Sequence, residues 1–336
     1  MILPLARFLK TFGASICFQK KYNLFRKLEL CLVLTNMLIV RWLEHNPRRF
    51  FLTIKGLSQM SQLKTSWIGR TETHNDTLNV EQARFMQATI GHEPSLEPGD
   101  SLPLLWHWMY FLEARPLHEL GRDGHPKKGA FLPPIGLPRR MWAGGRLKFY
   151  TDIPLGTQAQ KRSTINEVVE KSGQSGSLCF VTVFHELFLD DGTLALTEEH
   201  DIVYREDPRP DAPATAPVAA PTNAQFSEVV APSQVMLFRY SALTFNGHRI
   251  HYDVDYARDV EGYDGLVFHG PLTATLLIDL AKRTFGRSPE NFSFKALAPL
   301  TGMDVFYIEG TQESNAIHLW ARRHDGAKAM EARATF

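Results

Sequence analysis

The densest group of side chains that could perform acid–base chemistry lies between Asn246 and His251. Its sequence, NGHRIH, places two histidines, an arginine and an asparagine within six residues. Histidine is the side chain whose unperturbed pKa lies near neutral pH, so this group predicts a site that moves protons. Further along the chain, the tripeptide HGP begins an apolar helix. The backbone N–H groups of Gly270 and Leu272 in its first turn are predicted to stabilise negative charge that develops on a substrate.

Composition bounds the class of protein. At 336 residues the chain is long enough for two domains, each with its own hydrophobic core. Hydrophobic residues make up 44% and charged residues 22%, which is typical of a soluble globular protein. The formal net charge of +1 argues against nucleic acid as the main partner. The three cysteines have no C-x-x-C spacing, which argues against a disulfide framework or a cysteine-ligated metal and predicts a reducing compartment, the cytoplasm.

Residues 1–59 differ from the rest of the chain in charge, with ten Lys and Arg against two acidic residues. The apolar run from Leu28 to Val40 is interrupted and shorter than the roughly 20 residues that a membrane span needs, so no stable membrane insertion is predicted. Three interpretations stay open: a presequence that would place the protein in the mitochondrial matrix, a helix on a membrane surface, and an extension outside the functional chain. We favour the third, because coherent domain patterning begins only after Met60.

The remaining chain divides into two halves. Residues 60–205 form the first half, and residues 225–336, which hold the histidine group, form the second. Residues 206–224 between them include five prolines and several alanines. Such a segment cannot hold a regular helix or a sheet ladder, so we interpret it as an exposed linker.

Periodicity predicts the main elements of each half. In the first half a helix runs from Asn79 to Ile90, and a loop from Arg115 to Pro138, unusually long, precedes four strands. One of these strands, SLCFVTVFHELFL, is almost continuously apolar and is predicted to be central and well buried. In the second half an apolar helix, Pro271 to Phe285, precedes further strands. An apolar helix followed by antiparallel strands predicts an α+β fold in which a sheet wraps around a central helix.

Two segments of the second half resemble the hydratase signature of the MaoC-like enoyl-thioester hydratases, a family with the hot-dog fold. They are Tyr240–Ala257 (YSALTFNGHRIHYDVDYA) and Val267–Leu272 (VFHGPL). In that family an aspartate and a histidine, five positions apart, hold and activate a water molecule. The histidine aligns with His251, its partner aligns with Asn246, and the family's His-Gly step before the central helix aligns with His269-Gly270.

The resemblance extends over residues 66–336 and implies a double hot-dog fold with a degenerate first half. Segments Pro133–Gly145 and Ala242–Asp253 are similar to a subgroup of mesaconyl-CoA and itaconyl-CoA hydratases and mitochondrial 3-hydroxyacyl-thioester dehydratases. The implied activity is that of a hydro-lyase that adds water to a 2-enoyl-CoA thioester, with no metal and no other cofactor. Because hot-dog halves pair their sheets, the resemblance also implies a pseudo-dimer that could form a homodimer.

One departure from the family pattern affects the mechanism. An amide cannot accept a proton at neutral pH, so Asn246 cannot act as the base that the family's aspartate provides. The resemblance therefore implies that His251 carries the acid–base role, while the carbonyl oxygen of Asn246 orients the water.

Five further residues, beside Gly270 and Leu272, are predicted to contact the substrate: His248, Arg249, His269, Arg139 and Arg140. A dicarboxylic acyl group needs a cation for its distal carboxylate, and Arg140 or Arg249 is predicted to supply it. Three alternatives stay open. They are a dehydratase of fatty acid synthesis that acts on CoA or acyl-carrier-protein thioesters, an acyl-CoA thioesterase, and a non-catalytic protein that binds acyl thioesters.

Overall fold

The computed structural model describes residues 66–173, 176–207 and 216–336. The predictions for residues 1–59, including a functional start at Met60, therefore lie outside the described residues, as does the middle of the predicted linker. No helix within the described ranges is both long and apolar enough to cross a membrane.

Ten antiparallel strands form one continuous sheet in the described part of the chain. The first half contributes five of them: β1 Thr71–Thr77, β2 Arg139–Phe149, β3 Gln158–Gly173, β4 Gly176–Leu189 and β5 Leu194–Arg205. The second half contributes the other five: β6 Phe226–Val230, β7 Asn291–Ala296, β8 Phe306–Glu313, β9 Ala316–Arg323 and β10 Lys328–Thr335. Their order across the sheet is β1-β3-β4-β5-β2-β7-β10-β9-β8-β6. Each half is a five-stranded unit, and the pairing of β2 with β7 joins the units.

At this junction the backbones of β2 and β7 approach each other closely. Gly144 and Gly145 of β2 pair with Lys295 and Phe294 of β7. A Cβ atom at Gly144 would lie 2.5 Å from the carbonyl oxygen of Phe294, so a larger residue could not pair here without moving β7. The two sheets predicted from the sequence are thus hydrogen-bonded edge to edge.

The central helix of the second half, α3 Gly270–Phe285, packs on strands β7 to β10. Pro271 lies in its first turn, and Gly286, with φ +84°, ends it, as the sequence predicts. Leu272, Leu277 and Leu280 are buried, together with the threonines and alanines between them. A helix buried around most of its circumference belongs in a core, and this confirms the predicted arrangement of sheet and helix in this half.

The first half covers its sheet differently. Its helix, α1 Val80–Thr89, is capped by Asn79, whose Oδ1 accepts a hydrogen bond from the Glu81 N–H at 2.8 Å, and this confirms the predicted helix. Much of the sheet beyond α1 is covered by the loop that precedes β2, where Ile135 packs into a hydrophobic cluster with Tyr204. The two halves therefore have similar strand arrangements, but different segments pack on their sheets.

The sequence and the structure differ at several elements. Strand β4 is central in its half, but its residues alternate between buried and partly exposed, so only one face is fully covered. The end of the predicted linker is not free, because Ala220 is buried and its N–H donates to the Gly326 carbonyl. The sequence did not predict β1, β6 or a helix α2 Gln234–Leu243. Strand β1 is wholly polar and helix α2 has little apolar periodicity, so neither carries a usable pattern.

Candidate active site

Helix α2 and the turn that follows it bring the histidine group to the start of α3. After α2 ends, Phe245 adopts φ +47°, and the Asn246 N–H donates to the Ser241 carbonyl at 2.8 Å. The chain then forms a 3-10 turn, Arg249–His251. The Val267 N–H donates to the Ile250 carbonyl at 2.9 Å, which holds this turn against the segment that enters α3.

His251 has the properties of a general base. It is 7% exposed, and its Nδ1 lies 2.7 Å from the carbonyl oxygen of Val267. Because a carbonyl only accepts hydrogen bonds, Nδ1 carries the hydrogen and Nε2 keeps its lone pair. Burial lowers the pKa of His251 to about 4, against a weaker opposing effect of the Val267 carbonyl. The ring is therefore neutral at pH 7, and no described residue forms a hydrogen bond with its Nε2.

His269 supports His251 rather than the substrate. Its side chain is fully buried, its ring stacks on that of His251 with centroids 3.6 Å apart, and its Nε2 lies 2.9 Å from the Ser241 hydroxyl. Its side chain has no exposed surface, which favours a supporting role, and the substrate contact by His269 stays a prediction. Its position fixes the plane of the His251 ring.

Asn246 lies in the turn before His251, and its side-chain oxygen already accepts a hydrogen bond. Its Oδ1 accepts a hydrogen bond from the backbone N–H of His248 at 3.0 Å, which shapes the turn before His251. An amide oxygen has a second lone pair, so water binding by Asn246 stays a prediction. His248 is partly buried and its ring contacts that of His251 edge to face, with centroids 5.4 Å apart.

The start of α3 offers the predicted backbone donors. The first hydrogen bond within this turn is made by the Thr273 N–H to the His269 carbonyl, and the N–H groups of Gly270 and Leu272 have no backbone acceptor in the part of the chain that the structure describes. No heavy atom lies within 4 Å of a Cβ placed at Gly270, so there is open space beside this residue. Two unpaired donors next to open space at a helix N-terminus suit an oxyanion.

Two of the three predicted arginines are occupied by acidic partners. Arg139 is buried and pairs with the buried Glu261 at 2.6 Å. Arg249 is half-exposed and donates from Nε and Nη2 to Asp253 at 3.0 and 2.7 Å. Each guanidinium already neutralises a carboxylate of the protein, so neither is a free cation, and the substrate contacts of these two side chains stay predictions.

Arg140 differs from both. It is partly buried and has no ion pair with an acidic side chain among the described residues. Its positive charge contributes to lowering the pKa of both His125 and His248, after the larger effect of burial. Arg140 therefore brings a cation without a counter-ion to the neighbourhood of the histidines.

The structure adds two residues to the site that the sequence did not single out, Asp123 and His125. Both come from the long loop before β2. The Arg249 N–H donates to the Asp123 carbonyl at 2.9 Å, and Gly124 lies so close to Gly247 that a Cβ atom there would collide with the Gly247 carbonyl. The rings of His125 and His248 have centroids 4.2 Å apart. The first half thus contributes two acid–base side chains to the site, beside the predicted Arg139 and Arg140.

Asp123, His125 and His248 also form the one group among the described residues with the ligand types and spacing for a metal ion. Each offers one ligand atom, and these atoms lie within 4.8 Å of one another. However, His125 Nδ1 and Asp123 Oδ2 are hydrogen-bonded to each other at 2.9 Å, and the charge of Arg140 acts on both histidines. A neighbouring guanidinium disfavours a second cation, so the arrangement suits a hydrogen-bonded pair better than a metal centre.

Comparison with known proteins identifies the family. A family model described as hydroxyacyl-thioester dehydratase type 2 matches residues 105–302, more than half of the chain. The chain belongs to this family. The mesaconyl-C(4)-CoA hydratase of Chloroflexus aurantiacus is 44% identical over 80% of this chain and 95% of its own length. The mitochondrial hydroxyacyl-thioester dehydratase type 2 of Schizosaccharomyces pombe is 27% identical over 61% of this chain and 74% of its own length.

Solved structures share the fold of this chain. A MaoC-like dehydratase from Phytophthora capsici has a TM-score of 0.61 at 14% identity, over 80% of this chain and 96% of that one. A Mycobacterium tuberculosis protein described as having a double hot-dog fold has a TM-score of 0.52 at 14% identity, over 80% and 95%. The predicted double hot-dog fold is confirmed, and membership of the family makes the protein a hydro-lyase.

The histidines whose pKa is lowered by burial or partial burial should make the stability of this protein sensitive to acid. Burial lowers the pKa of His251 to about 4, of His185 to about 3 and of His248 to about 2, whereas an unfolded histidine titrates near 6.5. The unfolded chain therefore binds more protons below pH 6.5, so the free energy of unfolding falls as the pH drops from 6.5 towards 4. A tenfold difference in the proton affinity of one histidine between the folded and unfolded chains corresponds to about 1.4 kcal/mol.

Urea unfolding between pH 4 and pH 8 measures this dependence. We expect a shallower slope in His185→Gln, because one buried neutral imidazole is removed. The matched control is the exposed His92, whose replacement by Gln should leave the slope as in the wild type. A urea midpoint that does not change between pH 6.5 and pH 4 contradicts the prediction.

Proposed function

We propose that this hydro-lyase reversibly adds water to a 2-enoyl-CoA thioester with a free carboxylate on its acyl group, such as mesaconyl-CoA. The observation that carries the proposal is the free Nε2 of the neutral His251 close to the start of α3. The name of the 44% identical relative supports a mesaconyl group. Itaconyl-CoA, with the same number of carboxylates, is the related substrate to compare.

In the hydration direction, His251 Nε2 removes a proton from water while the water oxygen bonds to C3 of the enoyl group. The electron pair of the C2–C3 double bond moves towards the thioester oxygen. The imidazolium then returns the proton to C2 as that electron pair forms the new C–H bond. One water is added, and no oxidant or reductant is involved. Positioned acid–base catalysis of this kind contributes about 10²- to 10⁴-fold in rate.

The thioester oxygen gains negative charge during this step. The unpaired N–H groups of Gly270 and Leu272 supply hydrogen bonds for that charge, and the helix dipole of α3 acts in the same direction. Pro271 has no N–H, so these two residues are the donors in the first turn.

Arg140 is the residue that we assign to the distal carboxylate. Its guanidinium has no acidic partner among the described residues, unlike those of Arg139 and Arg249. Replacing Arg140 by Gln should lower kcat/KM for mesaconyl-CoA about 10- to 100-fold, which is the worth of one hydrogen bond to a charged group, and leave crotonyl-CoA nearly unaffected. The measurement is the ratio of the two kcat/KM values. Arg249→Gln is the matched control, and equal losses on both substrates in Arg140→Gln would contradict the assignment.

The proposed activity is tested by following absorbance of the conjugated thioester with crotonyl-CoA and mesaconyl-CoA, alongside detection of free thiol. Hydration removes the conjugation and releases no thiol. Release of thiol would instead indicate a thioesterase. Binding of CoA esters without any change in absorbance would indicate a protein that binds acyl thioesters.

A second candidate function is the dehydration of 3-hydroxyacyl thioesters in fatty acid synthesis, on CoA or on an acyl carrier protein. The family description and the mitochondrial relative support it. This function would favour the mitochondrial matrix, whereas the proposed hydratase fits the cytoplasm. Longer 3-hydroxyacyl-CoA substrates distinguish the two, since a dicarboxylate-specific site should reject them. A homodimer also stays a proposal, and light scattering measures it.

A further inference from the structure

The site lacks the carboxylate that its family uses, because Asn246 stands at that position. Three acidic residues in the segments around the histidines are candidates to replace it. Asp253 is bound to Arg249, and Glu261 is bound to Arg139. Asp123 is the exception, because its side-chain partner is a histidine. Its negative charge can therefore act on the site through the hydrogen-bonded imidazole of His125.

The hydrogen bonds of Asp123 define the state of His125. Asp123 Oδ2 lies 2.9 Å from His125 Nδ1, and Asp123 Oδ1 accepts from the His125 backbone N–H at 3.1 Å. Burial acts to raise the pKa of Asp123, but the bonds with His125 hold that pKa well below the usual range of an aspartate. An ionised carboxylate only accepts, so His125 Nδ1 carries the hydrogen and Nε2 keeps its lone pair. No described residue forms a hydrogen bond with this Nε2.

His125 therefore has the same tautomer as His251. In each ring Nδ1–H donates to an oxygen, and Nε2 has no hydrogen-bond partner among the described residues. The ring of His248 contacts both, with centroids 4.2 Å from that of His125 and 5.4 Å from that of His251. A positive charge on His125 also acts to lower the pKa of His251, so the two rings are within electrostatic reach. Both basic nitrogens belong to one small cluster.

The loop that carries His125 is fixed in place. The Asp123 carbonyl accepts from the Arg249 N–H, and Arg249 Nη1 donates to the Arg122 carbonyl at 3.3 Å. Gly124, with φ +87°, allows the close contact with Gly247 that a side chain would prevent. Preorganisation of this kind is what a group that holds a reacting water requires.

We infer that His125 is a further catalytic residue, which holds the attacking water together with His251, and that Asp123 positions it. The inference rests on the proposed hydration. One O–H bond of the water points to His251 Nε2, which removes that proton, and the other donates to His125 Nε2. The pair thus takes over the water-holding role that the carboxylate has in the family. Asp123 keeps the hydrogen on Nδ1 and strengthens Nε2 as an acceptor.

The test compares variants at these two positions. His125→Leu removes the acceptor and should lower kcat about 100-fold, with a smaller change in KM. His125→Gln keeps an acceptor oxygen and should retain more activity than His125→Leu. Asp123→Asn should lose about as much as His125→Leu, because an amide can donate to Nδ1 and so place the hydrogen on Nε2. Asp253→Asn is the matched control, since its partner is the half-exposed Arg249.

A rescue experiment separates this role from a structural one. In the Asp123→Asn background, Asn246→Asp should restore part of kcat, because it returns a carboxylate to the site itself. Dialysis against a chelator should leave wild-type activity unchanged. Loss of activity that Zn²⁺ restores would overturn the inference and assign a metal to Asp123, His125 and His248.

Two other results bear on the inference. Wild-type kcat in folded His125→Leu, with His251→Ala inactive, overturns the inference and leaves the proposed function standing. No hydration of any enoyl thioester by the wild type overturns both. Thermal unfolding of each variant shows that it is folded, and His125→Ala, which also lacks an acceptor, replaces His125→Leu if the latter does not fold.

Discussion

His251→Ala is expected to lower kcat for enoyl-CoA hydration by about 10²- to 10⁴-fold, the range of positioned acid–base catalysis. The physical reason is the loss of the free Nε2 that takes the proton from water. The Val267 carbonyl also loses its donor and His269 its stacking partner, but the proton transfer lost with Nε2 acts in the transition state rather than on the bound substrate. KM should therefore change much less than kcat.

Absorbance of the conjugated thioester at saturating substrate measures this loss. His251→Gln keeps a side chain of similar length and a possible donor to Val267, but it has no basic nitrogen. It should be as inactive as His251→Ala while unfolding at a temperature closer to that of the wild type. If kcat of His251→Ala equals that of the wild type, His251 is not the base.

Glu261→Leu should lower the free energy of unfolding by about 3–5 kcal/mol, the effect of removing one partner of a buried ion pair. Glu261 pairs with Arg139 of β2 and accepts a hydrogen bond from the Tyr256 hydroxyl at 3.1 Å. Without Glu261, the guanidinium of Arg139 keeps only the Tyr263 hydroxyl, at 2.7 Å, as a side-chain acceptor. A buried cation would then lack a counter-charge.

Two controls make this prediction specific. In the double variant Arg139→Met with Glu261→Leu no buried charge is left alone, so most of the stability should return. Glu228→Leu breaks the half-exposed pair with Arg283 and should cost less than about 1 kcal/mol. Urea unfolding measures all three, and equal losses in Glu261→Leu and Glu228→Leu would contradict the prediction.

The sequence predicts best those features of the fold and the site that depend on a short segment of the chain. Gly270, Pro271 and Gly286 mark the ends of α3, and their backbone roles follow from residue type alone. The resemblance also groups the segments of His251 and the HGP step in one signature, and in the structure the ring of His251 stacks on that of His269 at the start of α3. These features depend on residues that are close in the sequence, because such residue types restrict the local backbone to few conformations.

Long-range relations could not be predicted in this way. Asp123 and His125 lie in a loop without periodicity, and nothing in the sequence indicates that this loop meets the turn of the other half. The Gly and His content of the loop, with its unusual length, was the one available signal. The sequence could not show which of the three arginines is free of an acidic partner for a related reason. Whether a guanidinium is free depends on a partner such as Glu261, which is distant in the sequence from Arg139.

The pairing of β2 with β7 determines how the two halves should behave when they are produced as separate fragments. Each half on its own would expose a strand edge that is buried in the intact sheet, and exposed edges invite pairing with other chains. Fragments that end near residue 205 and begin near residue 225 should therefore aggregate when made singly. Made together, they should rejoin at this edge and recover a functional site, so the junction could serve as the cut site of a split enzyme.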